Sequence, residues 1–378
     1  MRITSAASFR SCIVRRLLAG LLVPQSAAIA QLNSLTTPVD GRTIALGESF
    51  TGMRDDLATM FYNPAGIAGI QGIHATYSQR SMDWISYLSD FRYSSIQTAV
   101  QTPVAVFGAF YSRLSYGDVT VATSATPLGV GTASPYDHTL GVVGAFTPFA
   151  GFDVGVSVKG FQYVDLPAAV ESGKAVTETS TSWAVMVDLG ALYSLSFATG
   201  PFNHDLSVGT SLQNFGSNAV LSAENGNSTT SEQPARFLRL GVSYSIAVVP
   251  PSENGLTPCR LTATGEYRTI LNSRYYTNGE RDFYGWGAEL QGFEILALRA
   301  GWFLSNIDWI YGTAGEPKVR YGVGVHLPMH KLGVSVPLAI RADYTVIRLN
   351  DSYGWLGNTK SSLDAFTIGI SYESNFLE

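Results

Sequence analysis

The chain has 378 residues, of which 46% are hydrophobic and 14% charged, and its formal net charge is −5. An acidic chain lacks the positive surface that nucleic-acid phosphates require, so nucleic acid is excluded as a partner. The charged fraction lies below the roughly 25% that is usual for soluble domains, and the chain beyond residue 30 contains no apolar run of about 18 residues. The composition therefore leaves two classes: a large secreted β protein or a transmembrane β-barrel.

The first 30 residues have the pattern of a secretory signal. Four arginines precede residue 17, an apolar stretch covers residues 17–23, and Ala28-Ile29-Ala30 fits a signal-peptidase site. A membrane anchor is the alternative, but the apolar stretch is too short to span a bilayer and Pro24 interrupts it. Loss of this segment removes four arginines and no acidic residue, so the net charge changes from −5 to −9. Cys259 is then the single cysteine, which leaves no intrachain disulfide.

Residues 31–72 form an N-terminal segment ahead of the first strand. Within it, the stretch RDDLATMFYNPAGIAGI has a helical pattern. Asp55 and Asp56 suit a helix start, where carboxylates accept hydrogen bonds from free N–H groups and favour the helix dipole. Adjacent residues of a helix point about 100° apart, so the pair suits that role better than catalysis or metal binding. Asn63-Pro64 ends the helix and can cap a second short turn.

The remaining chain is dominated by segments that alternate between polar and apolar residues, as β-strands do when only one face is wet. In KVRYGVGVHL, Val319, Tyr321 and Val323 share one face, and Lys318 and Arg320 lie on the other. A lipid-facing band around a polar interior produces this pattern, and so does a soluble sandwich with its polar face outward. Fourteen such strands are predicted, at residues 73–79, 93–101, 104–113, 137–147, 152–163, 182–195, 204–214, 235–248, 259–271, 282–291, 294–304, 318–327, 338–348 and 363–374.

The lengths of the strands and of their connections favour a membrane barrel. Most segments can cross a bilayer, for which a tilted strand needs about 9–11 residues, whereas soluble strands average about 5–6. Long connections follow the odd-numbered segments and mostly shorter ones follow the even-numbered segments, as in barrels with short periplasmic turns and longer outer loops. The predicted fold is a 14-stranded antiparallel transmembrane β-barrel over residues 73–378. Its predicted place is the bacterial outer membrane, with both termini periplasmic.

Charged residues on the polar faces are predicted to point into the barrel lumen. They either line a conduit or hold a plug, or they simply pair with one another, because buried charges must pair or be hydrated. No H-E-x-x-H, G-x-S-x-G or P-loop motif is present, so we expect no enzyme, no metal site and no cofactor. The set comprises Lys159, Asp188, Arg239, Arg260, Glu266, Arg268, Glu289, Arg299, Lys318, Arg320, Arg341 and Asp343.

The N-terminal segment also carries a family resemblance. The stretch ALGESFTGMRDDLATMFYNPAGIAGI, residues 45–70, resembles the N-terminal signature of the PorV/PorQ family of outer-membrane proteins, which is related to FadL-type transporters. Shorter stretches that look similar follow in order, such as VGVSVKGF at 154–161 and PARFLRLGVSYS at 234–245. The matching signature positions are Gly47, Gly52, Asp55, Asp56, Ala58, Phe61, Tyr62, Asn63, Pro64, Ala65 and Gly66.

The resemblance implies a FadL-like barrel whose N-terminal segment folds into the lumen as a short helical plug. PorV-like members act in type IX secretion and surface attachment, so implied partners are secreted cargo proteins or secretion-machinery components. The contacts would come from the outer loops 114–136, 164–181 and 215–234. The alternative is FadL-like transport of hydrophobic small molecules such as long-chain fatty acids. A soluble β adhesin is a third possibility; the first two require outer-membrane lipid around the wall.

Overall fold

The computed structural model describes most of the chain beyond the predicted signal segment. The signal segment and the centres of the long loops lie outside the described residues, and so do both chain ends. The described residues are 34–35, 40–81, 90–121, 131–165, 170–171, 174–175, 179–222, 229–249, 255–272, 282–305, 318–348 and 362–372.

Fourteen antiparallel strands form a closed barrel, in which β1 pairs with both β2 and β14. Each strand otherwise pairs with its neighbours in the sequence, so the wall is a simple up-and-down meander. The strands are β1 (Ile73–Ser81), β2 (Phe91–Gln101), β3 (Val106–Tyr116), β4 (Tyr136–Phe149), β5 (Phe152–Asp165), β6 (Ala184–Thr199), β7 (Phe202–Gly216), β8 (Phe237–Val248), β9 (Cys259–Ile270), β10 (Asp282–Gly292), β11 (Leu296–Ser305), β12 (Lys318–Pro328), β13 (Leu338–Arg348) and β14 (Ser362–Tyr372).

The predicted fold is confirmed, and each of the fourteen predicted segments overlaps one strand. The alternation arises because successive side chains of a strand point to opposite faces of the wall. In β12, Lys318 and Arg320 are buried inside, while Tyr321 and Val323 are exposed outside. The polar face therefore lines the interior, which is the arrangement of a membrane barrel and the reverse of a soluble sandwich.

Four strands, β3, β6, β8 and β11, begin two residues later than predicted, and β11 shows the reason most clearly. The segment expected at 294–304 starts at Leu296, because Phe293 and Glu294 form the turn that precedes it. Both residues have positive φ, 52° and 57°. Two successive residues of this kind form the tight turns that match the twist of paired strands.

A continuous apolar band covers the outside of the wall. Trp286 and Trp302 stack across β10 and β11, with ring centroids 6.4 Å apart, and Trp286 is exposed on the outer surface. Exposed apolar side chains on this scale need lipid or another apolar partner. Among the outward residues are Phe107, Val142, Val158, Val185, Leu189, Val208, Leu240, Leu261, Leu290, Leu298, Val323, Ile340 and Ile368.

The connections differ between the two ends of the barrel. The connections after the even-numbered strands lie at what we call the short-turn end. The connections after the odd-numbered strands are mostly longer and lie at the other end, the long-loop end, where β2 begins. The short-turn end carries residues 102–105, 150–151, 200–201, 249–258, 293–295 and 329–337. The described parts of the long links include three small hairpins: Val119–Val121 with Gly131–Ala133, Val170–Glu171 with Lys174–Ala175, and Ala219–Ser222 with Thr229–Glu232.

Residues 40–72 lie inside the barrel, and we call them the plug. The plug contains one α-helix, α1 (Gly41–Ala45), and two 3₁₀ helices, Leu57–Phe61 and Pro64–Ile67. No helix in the described part of the chain is long and apolar enough to cross a lipid bilayer. Helices this short have little stability of their own, so their caps and their contacts with the wall must hold them.

Candidate functional site

Three side chains cap the short helices of the plug. Asp40 accepts a hydrogen bond from Thr43 N, Asp56 from Ala58 N and Asn63 from Ala65 N. Asp55 differs from the expectation that both acids begin the helix, because it has φ 59° and its side chain is exposed toward the lumen. The adjacent acids thus have separate environments.

Asp56 also accepts from two arginines. Its Oδ2 lies 2.8 Å from Arg42 Nη1 of α1 and 2.7 Å from Arg341 Nη1 of β13. Burial alone would raise the pKa of Asp56, but Arg341 and Arg42 outweigh that effect and hold the pKa below its usual range. Because one oxygen caps the helix and the other accepts from two guanidinium groups, the carboxylate has a structural role.

The ion pairs continue into the wall. Arg42 donates twice to Glu289 of β10, with distances of 2.9 and 2.7 Å. Arg299 of β11 bonds to both Glu289 and Asp343, and Arg341 also bonds to Asp343. We call Arg42, Asp56, Glu289, Arg299, Arg341 and Asp343 the ion-pair cluster; it joins the plug to β10, β11 and β13.

A second set of charges binds the plug backbone nearer the long-loop end. Glu266 Oε2 accepts from the backbone N–H groups of Phe50 and Thr51 at 2.9 and 3.0 Å. Its Oε1 accepts from Arg239 at 2.7 Å, and Glu48 of the plug accepts from Arg320 at 2.8 Å. Burial opposes ionisation of Glu48, but Arg320 and Arg268 hold its pKa below the usual value.

The aromatic pair of the signature packs between the plug and the wall. Phe61 meets Phe110 edge-on, with ring centroids 4.8 Å apart. The Arg239 guanidinium lies over the Tyr62 ring, with Cζ 4.9 Å from the ring centroid. Gln213 of β7 donates to the backbone carbonyls of both residues, at 3.0 and 3.1 Å. Phe61 and Tyr62 therefore help to hold the plug against the wall.

Inward-facing glycines let the backbone of the plug approach the wall closely. A Cβ added at Gly209 would lie 2.1 Å from Thr51 O, and one at Gly287 would lie 2.6 Å from Leu46 O. A Cβ added at Gly155 would lie 2.4 Å from Pro64 C. Backbone atoms cannot move aside cheaply, so these strand positions require glycine while the plug is in place.

The side of the plug that faces away from the ion-pair cluster is apolar. Leu57, Met60, Ile67 and Ile70 pack against wall residues of β2, β3 and β4, with Phe61 and Ala68 at the edge. We call this group the apolar cluster. Its wall residues are Ala99, Val106, Phe110, Val143 and Ala145.

A cavity of about 510 Å³ lies on the short-turn side of the plug. Leu57 lines it, so the cavity adjoins the apolar cluster, and Met53 and Ile295 add further apolar surface. Among the described residues, no three His, Cys, Asp or Glu side chains are grouped so as to hold a metal ion. The remaining lining is mostly polar, including Arg54, Asp55, Ser194, Ser196, Asp205, Ser207, Ser243, Ser245, Arg260 and Thr262.

The predicted lumen charges have three different environments. Lys159, Arg239, Glu266, Arg268, Arg299, Arg320 and Asp343 are buried inside the barrel. Arg341 is half-buried, and Arg260 is exposed and lines the cavity. Lys159 donates to Asp188 at 2.6 Å, and Asp188 accepts from Asn214 N at 2.7 Å, where the pairing of β6 and β7 shifts register.

Sequence reasoning missed several plug residues that hold these charges. Arg42 and Glu48 belong to no strand pattern, so alternation gave no signal for them. Gln213 lies in the wall strand β7 and carries no charge, so the pattern of inward charges gives no signal for it. The inward glycines did give a signal, because glycine weakens a strand and often marks a close backbone approach.

The chain passes along the lumen from one end to the other. Ser34 accepts from Tyr93 through its backbone O at 2.7 Å, and its N–H donates to Asp137 at 2.8 Å. Tyr93 and Asp137 lie close to the long-loop ends of β2 and β4, whereas Gly72 N bonds to Gln101 at the short-turn end. The predicted periplasmic position of both termini stays a prediction.

A closed barrel with an apolar outer band and an occupied lumen defines a plugged transmembrane β-barrel, and its fold resembles that of bacterial outer-membrane proteins. Residues 22–308 match the model of UPF0164, an uncharacterised protein family. Because this match covers more than half of the chain, the protein belongs to that family. No curated protein sequence matches the chain.

Several solved barrels have a similar architecture. The toluene transporter TbuX of Ralstonia pickettii is 14% identical, with a TM-score of 0.47 over 89% of this chain and 98% of that one. The CymD monoaromatic hydrocarbon channel is 11% identical, with a TM-score of 0.47 over 91% and 100%. The toluene transporter TodX of Pseudomonas putida is 11% identical, with a TM-score of 0.44 over 88% and 97%. Identities this low say nothing about activity.

Proposed function

We propose that the protein transports hydrophobic small molecules across the outer membrane, along the apolar side of its plug. The main observation in support of this proposal is that the apolar cluster adjoins the polar cavity at Leu57. A molecule with an apolar body and a polar end can place the body against β2–β4 while the end reaches hydroxyl and charged groups. The ion-pair side offers no such surface, because an apolar body there would leave buried charges unpaired.

The route requires the plug to separate from the wall on its apolar side. A Cβ added at Gly108 of β3 would lie 2.8 Å from Met60 Sδ, so plug and wall touch there. Separation would break non-directional contacts and leave the ion pairs in place. The ion-pair cluster then acts as the fixed side of a plug that moves on its apolar side.

A reversible cross-link tests this route. Met60→Cys with Gly108→Cys, in a Cys259→Ser background, places a cysteine on each side of the contact. The purified protein in lipid vesicles should take up labelled long-chain fatty acid when reduced. Oxidation should stop uptake, and reduction should restore it.

Two controls accompany the measurement. Each single cysteine variant should transport equally under both redox conditions. Uptake by wild-type vesicles no faster than by empty vesicles would remove the transport proposal. Uptake unaffected by a complete cross-link would remove this route.

A PorV-like role in protein secretion is the second candidate. Ion pairs and close glycine contacts hold the plug, which favours a barrel that acts through its outer surface and loops. Cross-linking of intact cells should then recover exported proteins with this barrel, and deletion of its gene should change the set of surface-attached proteins. An unchanged set would rule this role out.

A further inference from the structure

A cluster of aromatic and polar side chains lies on the outward face of β3–β6, near the long-loop end. Its neighbours Ser112, Leu114 and Asp137 are buried and face inward, so the cluster faces the membrane side of the wall. Arg113 lies three residues before the end of β3, or about 10 Å from it. The members of this arginine–aromatic cluster are Tyr111, Arg113, Tyr136, His138, Gln162 and Trp183.

Arg113 is exposed at the centre of this cluster. Its Cζ lies 3.8 Å from the centroid of the Tyr136 ring, which orients the guanidinium plane. Within the described residues, no carboxylate forms an ion pair with it. A guanidinium presents five N–H donors in a planar fork, so its edge is available to an acceptor from outside the chain.

Arg92 on the adjacent strand β2 provides an internal comparison. It also points outward near the long-loop end, but it has its own counter-ion, since its Nη2 lies 3.3 Å from Asp90. Arg113 has no such counter-ion in the part of the chain that the structure describes. Because a cation without a partner on a lipid-facing wall is costly, Arg113 calls for an anion from its surroundings.

The other side chains form an ordered support for that anion. Gln162 donates through Nε2 to Thr181 O at 3.0 Å, so its Oε1 accepts from His138 Nε2 at 3.2 Å. The His138 ring stacks on Trp183, with centroids 5.0 Å apart and planes at 27°. Gly160 makes room for this stack, because a Cβ there would lie 3.0 Å from the Trp183 ring.

The apolar band continues from the cluster toward the short-turn end. Phe107, Leu140, Val142 and Val185 are exposed on the same outward face. A ligand that covers both surfaces has an anionic head and long apolar chains. Arg matches phosphate well, because two parallel N–H groups can bind two of its oxygens.

We propose that the arginine–aromatic cluster binds the phosphate headgroup of a membrane lipid in the leaflet next to the long loops. The phosphate accepts from Arg113, and the acyl chains lie along the apolar band below it. Tyr and Trp rings are suited to this depth because they present an apolar body and a polar edge.

Lipid titration of the detergent-purified protein tests the proposal. Phosphatidylglycerol, a diacylglycerol with the same chains and inorganic phosphate are added separately, and bound lipid is measured by native mass spectrometry. The wild type should retain phosphatidylglycerol and not the diacylglycerol. Arg113→Gln should weaken retention about tenfold, whereas Arg92→Gln should leave it unchanged.

The barrel's folded state is checked by its faster migration on a detergent gel before heating than after. Equal retention by folded Arg113→Gln and wild type would overturn the proposal, and so would equal retention of the diacylglycerol. Complete displacement of the lipid by an equal concentration of inorganic phosphate would reassign the site to a free anion and also overturn it.

Discussion

The two sides of the plug are held to the wall by different interactions, apolar packing on one side and ion pairs on the other. The apolar cluster packs against β2–β4 through contacts that have little directional preference and tolerate small displacements. The ion-pair cluster joins the plug to β10, β11 and β13 through buried charges whose partners have fixed geometry. Losing one carboxylate there leaves the cluster with an excess of positive charge inside the barrel. The comparison agrees with the proposed transport route, in which the apolar side opens and the ion-pair side stays closed.

Asp56→Asn should have the largest effect. Asparagine can still cap the helix at Ala58 N, but Arg42 and Arg341 each lose a carboxylate partner. Breaking a fully buried pair costs about 3–5 kcal/mol, and we expect the lower end of that range, because Arg42 keeps Glu289 and Arg341 keeps Asp343. The free energy of unfolding, measured by urea in detergent micelles, should fall by that amount.

Asp55→Asn is the matched control for Asp56→Asn. Asp55 is exposed toward the lumen and caps none of the three plug helices, so its substitution should leave the unfolding midpoint unchanged. Equal effects at both positions would mean that total charge near the plug matters and that the ion-pair geometry does not.

Met60→Ala tests the apolar side. Met60 is fully buried against β3, and truncation of a buried methionine costs about 2–5 kcal/mol. We expect looser packing of this side alone, measured as faster hydrogen exchange at the backbone amides of residues 57–61. Equally faster exchange at residues 41–45 would contradict independent behaviour of the two sides.

Gly209→Ala tests the close contact between plug and wall. Its Cβ would lie 2.1 Å from Thr51 O, so plug or strand must shift, at about 1–3 kcal/mol. Gly265→Ala is the matched control, because its nearest neighbour is Val242 Cγ1 at 3.6 Å. A plug that stays closed should give no ion current in planar bilayers, whereas Gly209→Ala should give intermittent current. Equal currents from both variants would disprove the glycine contact.

Of the changes considered, acid should have the smallest effect on the free energy of unfolding, and it should act through the ion-pair side. The pKa of folded Asp56 lies below its usual value, so its stabilisation is fully present above the unfolded pKa of about 3.9. The stabilisation is lost only as the pH falls below that value. The urea midpoint should therefore show no loss from Asp56 between pH 8 and pH 5, and the difference between wild type and Asp56→Asn should shrink below about pH 4.

Much of the wall could be predicted because alternation is a local property. Lys318 and Arg320 share a face in any strand that contains them, and that face becomes the interior once the wall closes. The turn at Phe293 and Glu294 was less clear, because positive φ in residues other than glycine has no strong sequence signal.

The plug contacts were harder to predict because they join distant residues. Glu266 could be assigned to the lumen from its strand, but not to the N–H groups of Phe50 and Thr51. Arg42 and Glu289 form an ion pair although they are far apart in the sequence. No periodic pattern of residues predicts which distant residues meet. Asp56 was correctly expected to begin a helix, whereas its two arginine partners required the three-dimensional structure.

The path of the chain through the lumen has a consequence for assembly. Residues 34–72 precede every strand, yet the wall closes only when Ile73 pairs with Tyr372, the two ends of the barrel sequence. Contacts this distant in sequence form late, because loop-closure entropy must be overcome first. We therefore expect the N-terminal segment to be enclosed as β14 meets β1, so that an assembly intermediate with an open wall and an exposed plug precedes the finished barrel.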